Sequence, residues 1–148
     1  MRRTIGVLSV LLLSIVTTEA LSAQDRAAPP AAEQGNGFQL EQNYPNPFNP
    51  ETTIPFTLGE ELFVDGRPAV VTVRIYNLLQ QVVAYPIALG HPSGEGQELR
   101  QLEYTIPGRY EAFWDGYDRS GRQVASGIYF MQLTVNGQSA TRKMYVLK

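Results

Sequence analysis

Residues 129–146 read YFMQLTVNGQSATRKMYV, two runs of alternating apolar and polar side chains on either side of Asn136 and Gly137. Asn-Gly between alternating runs is the strongest short-range hairpin signal, because both central positions of the favoured two-residue turn require φ > 0. A loop of that length sets the register: Val135 faces Gln138, Leu133 faces Ala140, Met131 faces Arg142 and Tyr129 faces Met144. On that register Tyr129, Met131, Leu133, Val135, Ala140, Met144 and Val146 share one largely apolar face, which is predicted to be core.

Upstream, the same period of two recurs. Residues 70–76 (VVTVRIY) put Val71, Val73 and Ile75 on one face and Thr72, Arg74 and Tyr76 on the other. Residues 52–58, 81–85 and 109–114 read as further strands, and Pro86 places the 81–85 strand on an edge or at a bulge. Residues 90–108 read as a long polar loop with a short irregular strand around 102–106. Pro45, Pro47 and Pro50 lack an N–H, so the stretch containing them is predicted to run extended along an edge, with Tyr44 and Phe48 able to pack inward. No helical pattern of useful length follows residue 23. The expectation is an all-β, antiparallel β-sandwich of about seven strands over residues 38–148.

The N-terminal end indicates a compartment. Arg2 and Arg3 precede an apolar run over residues 5–16, followed by small residues up to Ala23, the layout of a secretory signal peptide with cleavage after Ala20 or Ala23. That run falls short of the ~20 apolar residues a membrane-spanning helix needs. No cysteine follows it to carry a lipid. Residues 24–37 (QDRAAPPAAEQGNG) contain no large apolar side chain and read as a flexible linker. Loss of residues 1–23 removes Arg2, Arg3 and Glu19, leaving 10 basic and 13 acidic side chains, net −3. That balance provides no electrostatic footprint for nucleic acid or anionic membrane. With no cysteine in an exported chain, stability must come from the packed core.

Candidate chemistry is sparse. The one histidine, His91, lies beside Pro92 in the polar loop and reads as a solvated loop residue rather than a catalytic base. One histidine and no cysteine cannot assemble a structural zinc site. Asp115, Asp118 and Ser120 put several oxygens on one loop, but D-G-Y-D-R-S-G lacks the twelve-residue calcium-loop spacing. Turn chemistry accounts for the same residues, the aspartates capping backbone donors while Gly116 and Gly121 supply φ > 0. Asp115 with Asp118 as a hydrolytic carboxylate pair lacks an apolar pocket to raise one pKa. Tyr110, Phe113, Trp114 and Tyr117 suggest a sugar-stacking platform. On a strand, however, Tyr110 and Trp114 face one way and Phe113 the other, and core filling is their default role. The expectation is no catalytic site, no metal and no cofactor.

Three segments occur in fixed order: LEQNYPNPFNPETTI at residues 40–54, WDGYDRSGRQVASGIYF at 114–130 and ATRKMYVLK at 140–148. Together they resemble the type A C-terminal sorting domain of the type IX secretion system, over essentially all of residues 38–148. The resemblance implies a small immunoglobulin-like β-sandwich related to the domain of flagellar hook-capping proteins. It implies as partners an outer-membrane translocon and a sortase-like peptidase able to attach cargo to surface lipopolysaccharide. It also implies passage through the periplasm to the cell surface or medium. The family's motif elements fall on Pro45, Asn46 and Pro47, on Trp114, Asp115 and Gly116, on Ser126, Gly127 and Tyr129, and on Lys143 and Lys148. A terminal strand with unpaired edge groups and exposed lysines suits binding by strand addition. The same elements also serve as ordinary β-sandwich punctuation, so packing alone is an open alternative.

Two departures from the family stand out. Gln80 occupies a turn (NLLQQVV) where the family commonly has glycine. Only residues 24–37 separate the leader from the sandwich, so a stand-alone module, a remnant and the sandwich itself as cargo are all consistent with this sequence. Two other functional classes remain at this level: a structural or adhesive immunoglobulin-like envelope module, and a carbohydrate-binding domain centred on Trp114 and Asp115.

Overall fold

A computed structural model of the chain describes residues 36–148; the signal peptide expected at 1–23 and nearly all of the linker expected at 24–37 lie outside the described residues. Nine strands are present among these: β1 (Phe38–Leu40), β2 (Thr52–Leu58), β3 (Ala69–Tyr76), β4 (Val82–Ala84), β5 (Ile87–Leu89), β6 (Leu102–Tyr104), β7 (Gly108–Trp114), β8 (Gly127–Val135) and β9 (Gln138–Val146). A single 3₁₀ turn, Glu60–Phe63, links β2 toward β3. All pairings between these strands are antiparallel. One sheet has the order β1-β2-β7-β5; the other has the order β4-β3-β8-β9, with β6 alongside β3. This is the immunoglobulin-like arrangement, with β1, β2, β7 and β5 in the places of strands A, B, E and D and β4, β3, β8 and β9 in those of C′, C, F and G.

The hairpin register is as expected: Val135 pairs with Gln138, Leu133 with Ala140, Met131 with Arg142 and Tyr129 with Met144. Asn136 and Gly137 have φ of 50° and 87°, as a two-residue turn of this hand requires. Every residue of the predicted apolar face, from Tyr129 to Val146, is buried. It packs with Val71, Val73 and Ile75 of β3 against Ile54, Phe56 and Leu58 of β2 and Ala112 and Trp114 of β7, in one core between the sheets.

The antiparallel sandwich is as expected; its described strands number nine, and β1 and β5, each three residues long, are too short to show a period of two. The structure corrects three expectations. Thr72 is not on a wet face. Residues 99–101 fold over it, Leu99 C=O accepting from Val73 N–H and Gln101 N–H donating to Thr72 Oγ1 at 2.9 Å. His91 is buried, at 6% exposure, and is not a solvated loop residue. Its Nε2–H donates to Glu103 C=O at 2.9 Å while Ser93 N–H donates to Nδ1 at 3.1 Å, which specifies the neutral Nε2–H tautomer. The ring lies edge-on to Tyr104, with centroids 4.7 Å apart. Finally, Phe48 packs inward but Tyr44 does not: Tyr44 is 48% exposed and its hydroxyl donates to Glu111 Oε1 at 2.6 Å.

Candidate functional site

The residues singled out in sequence come from four separate stretches, and the fold brings them to one end of the sandwich around the close of β9. The stretch 42–48 forms a strap that leaves the edge of the first sheet and crosses to the edge of the second. Tyr44 still pairs with Thr53 of β2, whereas Phe48 forms a parallel bridge to Val146 of β9. Phe48 N–H donates to Tyr145 C=O and Leu147 N–H donates to Phe48 C=O, each at 3.0 Å. Asn46 Oδ1 accepts from Tyr145 N–H at 3.0 Å. Of the Pro45-Asn46-Pro47 triplet, Asn46 therefore holds the terminal strand directly, while Pro45 offers its carbonyl to the Asn43 Nδ2 and Thr52 Oγ1 donors at 3.2 and 3.1 Å.

Asn43 and Thr52 were not selected from the sequence, yet both are buried and bonded to each other at 2.9 Å. Burying an amide is costly unless its donors are used, and here Pro45 C=O and Thr52 Oγ1 use both. Gln42 extends the same link, its Nε2 donating to Asn43 Oδ1 at 2.7 Å and to Lys143 C=O at 3.1 Å. Arg142 was overlooked too: its Nε donates to Leu40 C=O at 2.6 Å, joining β9 to the end of β1. The signal for Asn43 was available, since it stands within NYPNP as a short amide amid prolines, the composition of a side-chain-stitched turn.

Trp114 is the hinge of this end. It is 2% exposed, with its ring 5.4 Å from Phe48 of the strap and 5.9 Å from Tyr129 of β8. One indole thus touches both sheets and the strap, and its Nε1–H donates to Tyr117 C=O at 2.9 Å. Asp115 caps the turn that follows, Oδ1 accepting from Tyr117 N–H at 3.0 Å. Gly116 has φ of 78°, and any Cβ there would collide with the Pro50 carbonyl oxygen, so the residue is required to be glycine on two counts. Asp118 Oδ1 accepts from Ser120 N–H, Ser120 Oγ–H and Arg122 N–H at 2.8, 2.6 and 3.0 Å. Those bonds, the Ser120 hydroxyl foremost, hold its carboxyl below the usual range. Both aspartates are occupied in turn geometry. Among the described residues no three His, Cys, Asp or Glu side chains gather as a metal site.

At the start of β8, Tyr129 O–H donates to Ala125 C=O four residues upstream at 3.1 Å, the tyrosine-corner geometry of immunoglobulin-like domains. Ser126 Oγ accepts from Lys148 N–H at 3.0 Å, and Gly127 pairs with Val146, so the 126–129 element and the last residues are joined. Lys143 and Lys148 are exposed, Lys143 with its Nζ 5.5 Å from the Tyr145 ring centroid. The aromatic quartet divides as strand geometry dictates: Trp114 lies in the core, Tyr110 and Phe113 are half-buried and Tyr117 is exposed. An open groove of about 570 Å³ lies nearby between β4 and the 118–125 loop, its lining including Asn77, Gln81, Val83, Arg119 and Gln123.

The expected open terminal edge is only half open. The strap and Gln42 fill the outward-facing positions of β9 from the Lys143 carbonyl to Leu147, correcting the picture of a wholly unpaired terminal ribbon. No helix among the described residues is long and apolar enough to cross a membrane.

No protein-family model matches the chain, and no curated protein matches it. Among solved structures, it is similar to dimeric latent PorU from Porphyromonas gingivalis, at 18% identity and a TM-score of 0.48, covering 74% of this chain and 9% of that one. A second is PorZ, an essential bacterial surface component of the type IX secretion system of Porphyromonas gingivalis, at 18% identity and a TM-score of 0.42, covering 72% of this chain and 11% of that one. A third is the Pseudomonas fluorescens alkylpurine DNA glycosylase AlkC bound to abasic-site DNA, at 15% identity and a TM-score of 0.47, covering 77% of this chain and 31% of that one. The chain spans less than a third of each of these proteins.

Proposed function

We propose that this chain is a non-catalytic β-sandwich that serves as a C-terminal sorting and docking signal for export across an outer membrane by type IX secretion. The observation that carries this assignment is convergence. Three segments that resemble the sorting-domain family in sequence, separated by as many as 59 residues between the end of the first at Ile54 and the start of the second at Trp114, meet around the last strand. Lys143 and Lys148 remain exposed beside that junction. Such a site has the character of a recognition surface held by a rigid scaffold, with translocon and sortase-like peptidase as the partners that the sequence resemblance suggests. Asp115 and Asp118 are committed to turns, which supports a binding rather than a hydrolytic role.

The test is a secreted reporter fused upstream of residues 24–148 in a host with type IX machinery. Deleting residues 142–148 removes the buried Met144 and Val146 and so disrupts the core as well as the signal. The sharper variant is the exposed pair Lys143→Glu with Lys148→Glu, which leaves the core intact. The expected result is a folded reporter retained in the periplasm. Release to the surface equal to that of the parent would overturn the proposal.

A further inference from the structure

A docking module needs a place where a partner can attach, and the outer rim of β9 contains one of defined length. Val135 and Gln138 close the turn as a hydrogen-bonded pair, so the backbone groups of residues 138, 140, 142, 144 and 146 face β8, and those of 139, 141, 143, 145 and 147 face outward. The strap occupies Tyr145 and Leu147, and Gln42 occupies the Lys143 carbonyl. Among the described residues, no hydrogen bond fills the rim from Ser139 to the Lys143 N–H, and Ser139, Thr141 and Lys143 are exposed. The open stretch is bounded by the Asn136-Gly137 turn at one end and the strap at the other.

Charge indicates the occupant. Residues 139–143 carry the exposed Lys143 and the half-buried Arg142, whose Nε bonds to Leu40 C=O, and no acidic side chain, in a chain with 14 acidic and 12 basic residues. A second copy of this strand would set two basic ribbons side by side, which repels. An extended acidic segment would gain both the unused backbone groups and the opposite charge.

We propose that residues 139–143 form a slot for an extended acidic segment of a partner protein, which adds as the next strand beyond β9 and is held in register by the turn and the strap. This deepens, and rests on, the docking role proposed above. The Thr141 N–H faces away from β8, so Thr141→Pro blocks strand addition without removing a bond of the hairpin ladder.

The test titrates the full chain with synthetic peptides of about eight residues that alternate Glu with Val, Ile or Thr, following amide resonances, with a matched set carrying Lys in place of Glu. Acidic peptides are expected to bind and to protect the amides of Ser139, Thr141 and Lys143. Thr141→Pro is expected to weaken binding about tenfold. Lys143→Glu, which leaves the backbone untouched, is expected to shift preference toward the Lys set. Failure of every acidic peptide, equal binding of the Lys set, indifference to both substitutions, or dimerisation through the same amides would each overturn the slot. Peptide binding together with normal periplasmic retention of the charge-reversed reporter supports both proposals. Binding with unimpaired export of that reporter preserves the slot and removes the sorting role.

Discussion

Gln80 sits at φ 59°, in the left-handed region, at the tip of the turn joining β3 to β4. The turn is stitched by Asn77, whose Oδ1 accepts from Leu79 N–H and Gln81 N–H at 3.0 Å each. The strain is local and its relief needs no repacking, so Gln80→Gly is expected to raise stability by about 0.5–1 kcal/mol in urea unfolding. Tyr104 presents a different residue-scale conflict: its hydroxyl is buried without a partner among the described residues, and burial pushes its pKa far above the ordinary phenol value. Tyr104→Phe removes the unsatisfied group while keeping the ring stack on His91 and Tyr110, and is expected to be neutral or stabilising by about 1 kcal/mol. Tyr129→Phe, in contrast, deletes the corner bond to Ala125 and is expected to cost about 1 kcal/mol. Asp118 titrates below its unfolded value, so its contribution is complete above the unfolded carboxylate pKa of about 4 and is lost as pH falls through the lower folded one. Asp118→Asn is therefore expected to flatten the fall in stability on the acid side, read as unfolding midpoints between about pH 5 and pH 2. Single residues were the least legible scale. His91 was hidden by its polar neighbours, because nothing local reports that residues 91–104 fold back across β3.

At the scale of elements, β8 and β9 were readable because each is nine residues long, alternates cleanly and meets the other at Asn-Gly. β1 and β5 were not, since three residues cannot establish a period and their pairing is dictated by β2 and β7. The strap is an intermediate case. Its prolines correctly excluded a central strand, but which edge it would follow depended on Phe48 finding Trp114 across the sandwich, a contact between residues far apart in sequence. Within β9 the two faces should respond unequally: Met144→Ala, at a fully buried position, is expected to cost about 2–5 kcal/mol, while Ser139→Ala on the open rim should fall within about 0.5 kcal/mol of the parent.

At the scale of the whole molecule, the described residues form two four-stranded sheets and a short added strand that close on one apolar core without disulfide support. The sandwich class followed from alternation alone. The meeting of four motif stretches at one end did not, because it depends on the chain crossing between sheets after β1 and β7. That crossing leaves the last strand latched along half its outer rim and open along the other half, and the division is what the docking proposals build on. Native-state amide exchange on the full chain tests it residue by residue along β9. Tyr145 and Leu147 should be protected along with the β8-facing amides of 140, 142, 144 and 146, while Ser139, Thr141 and Lys143 exchange rapidly. Rapid exchange at Tyr145 and Leu147, or equal protection along the entire outer rim, would contradict the account.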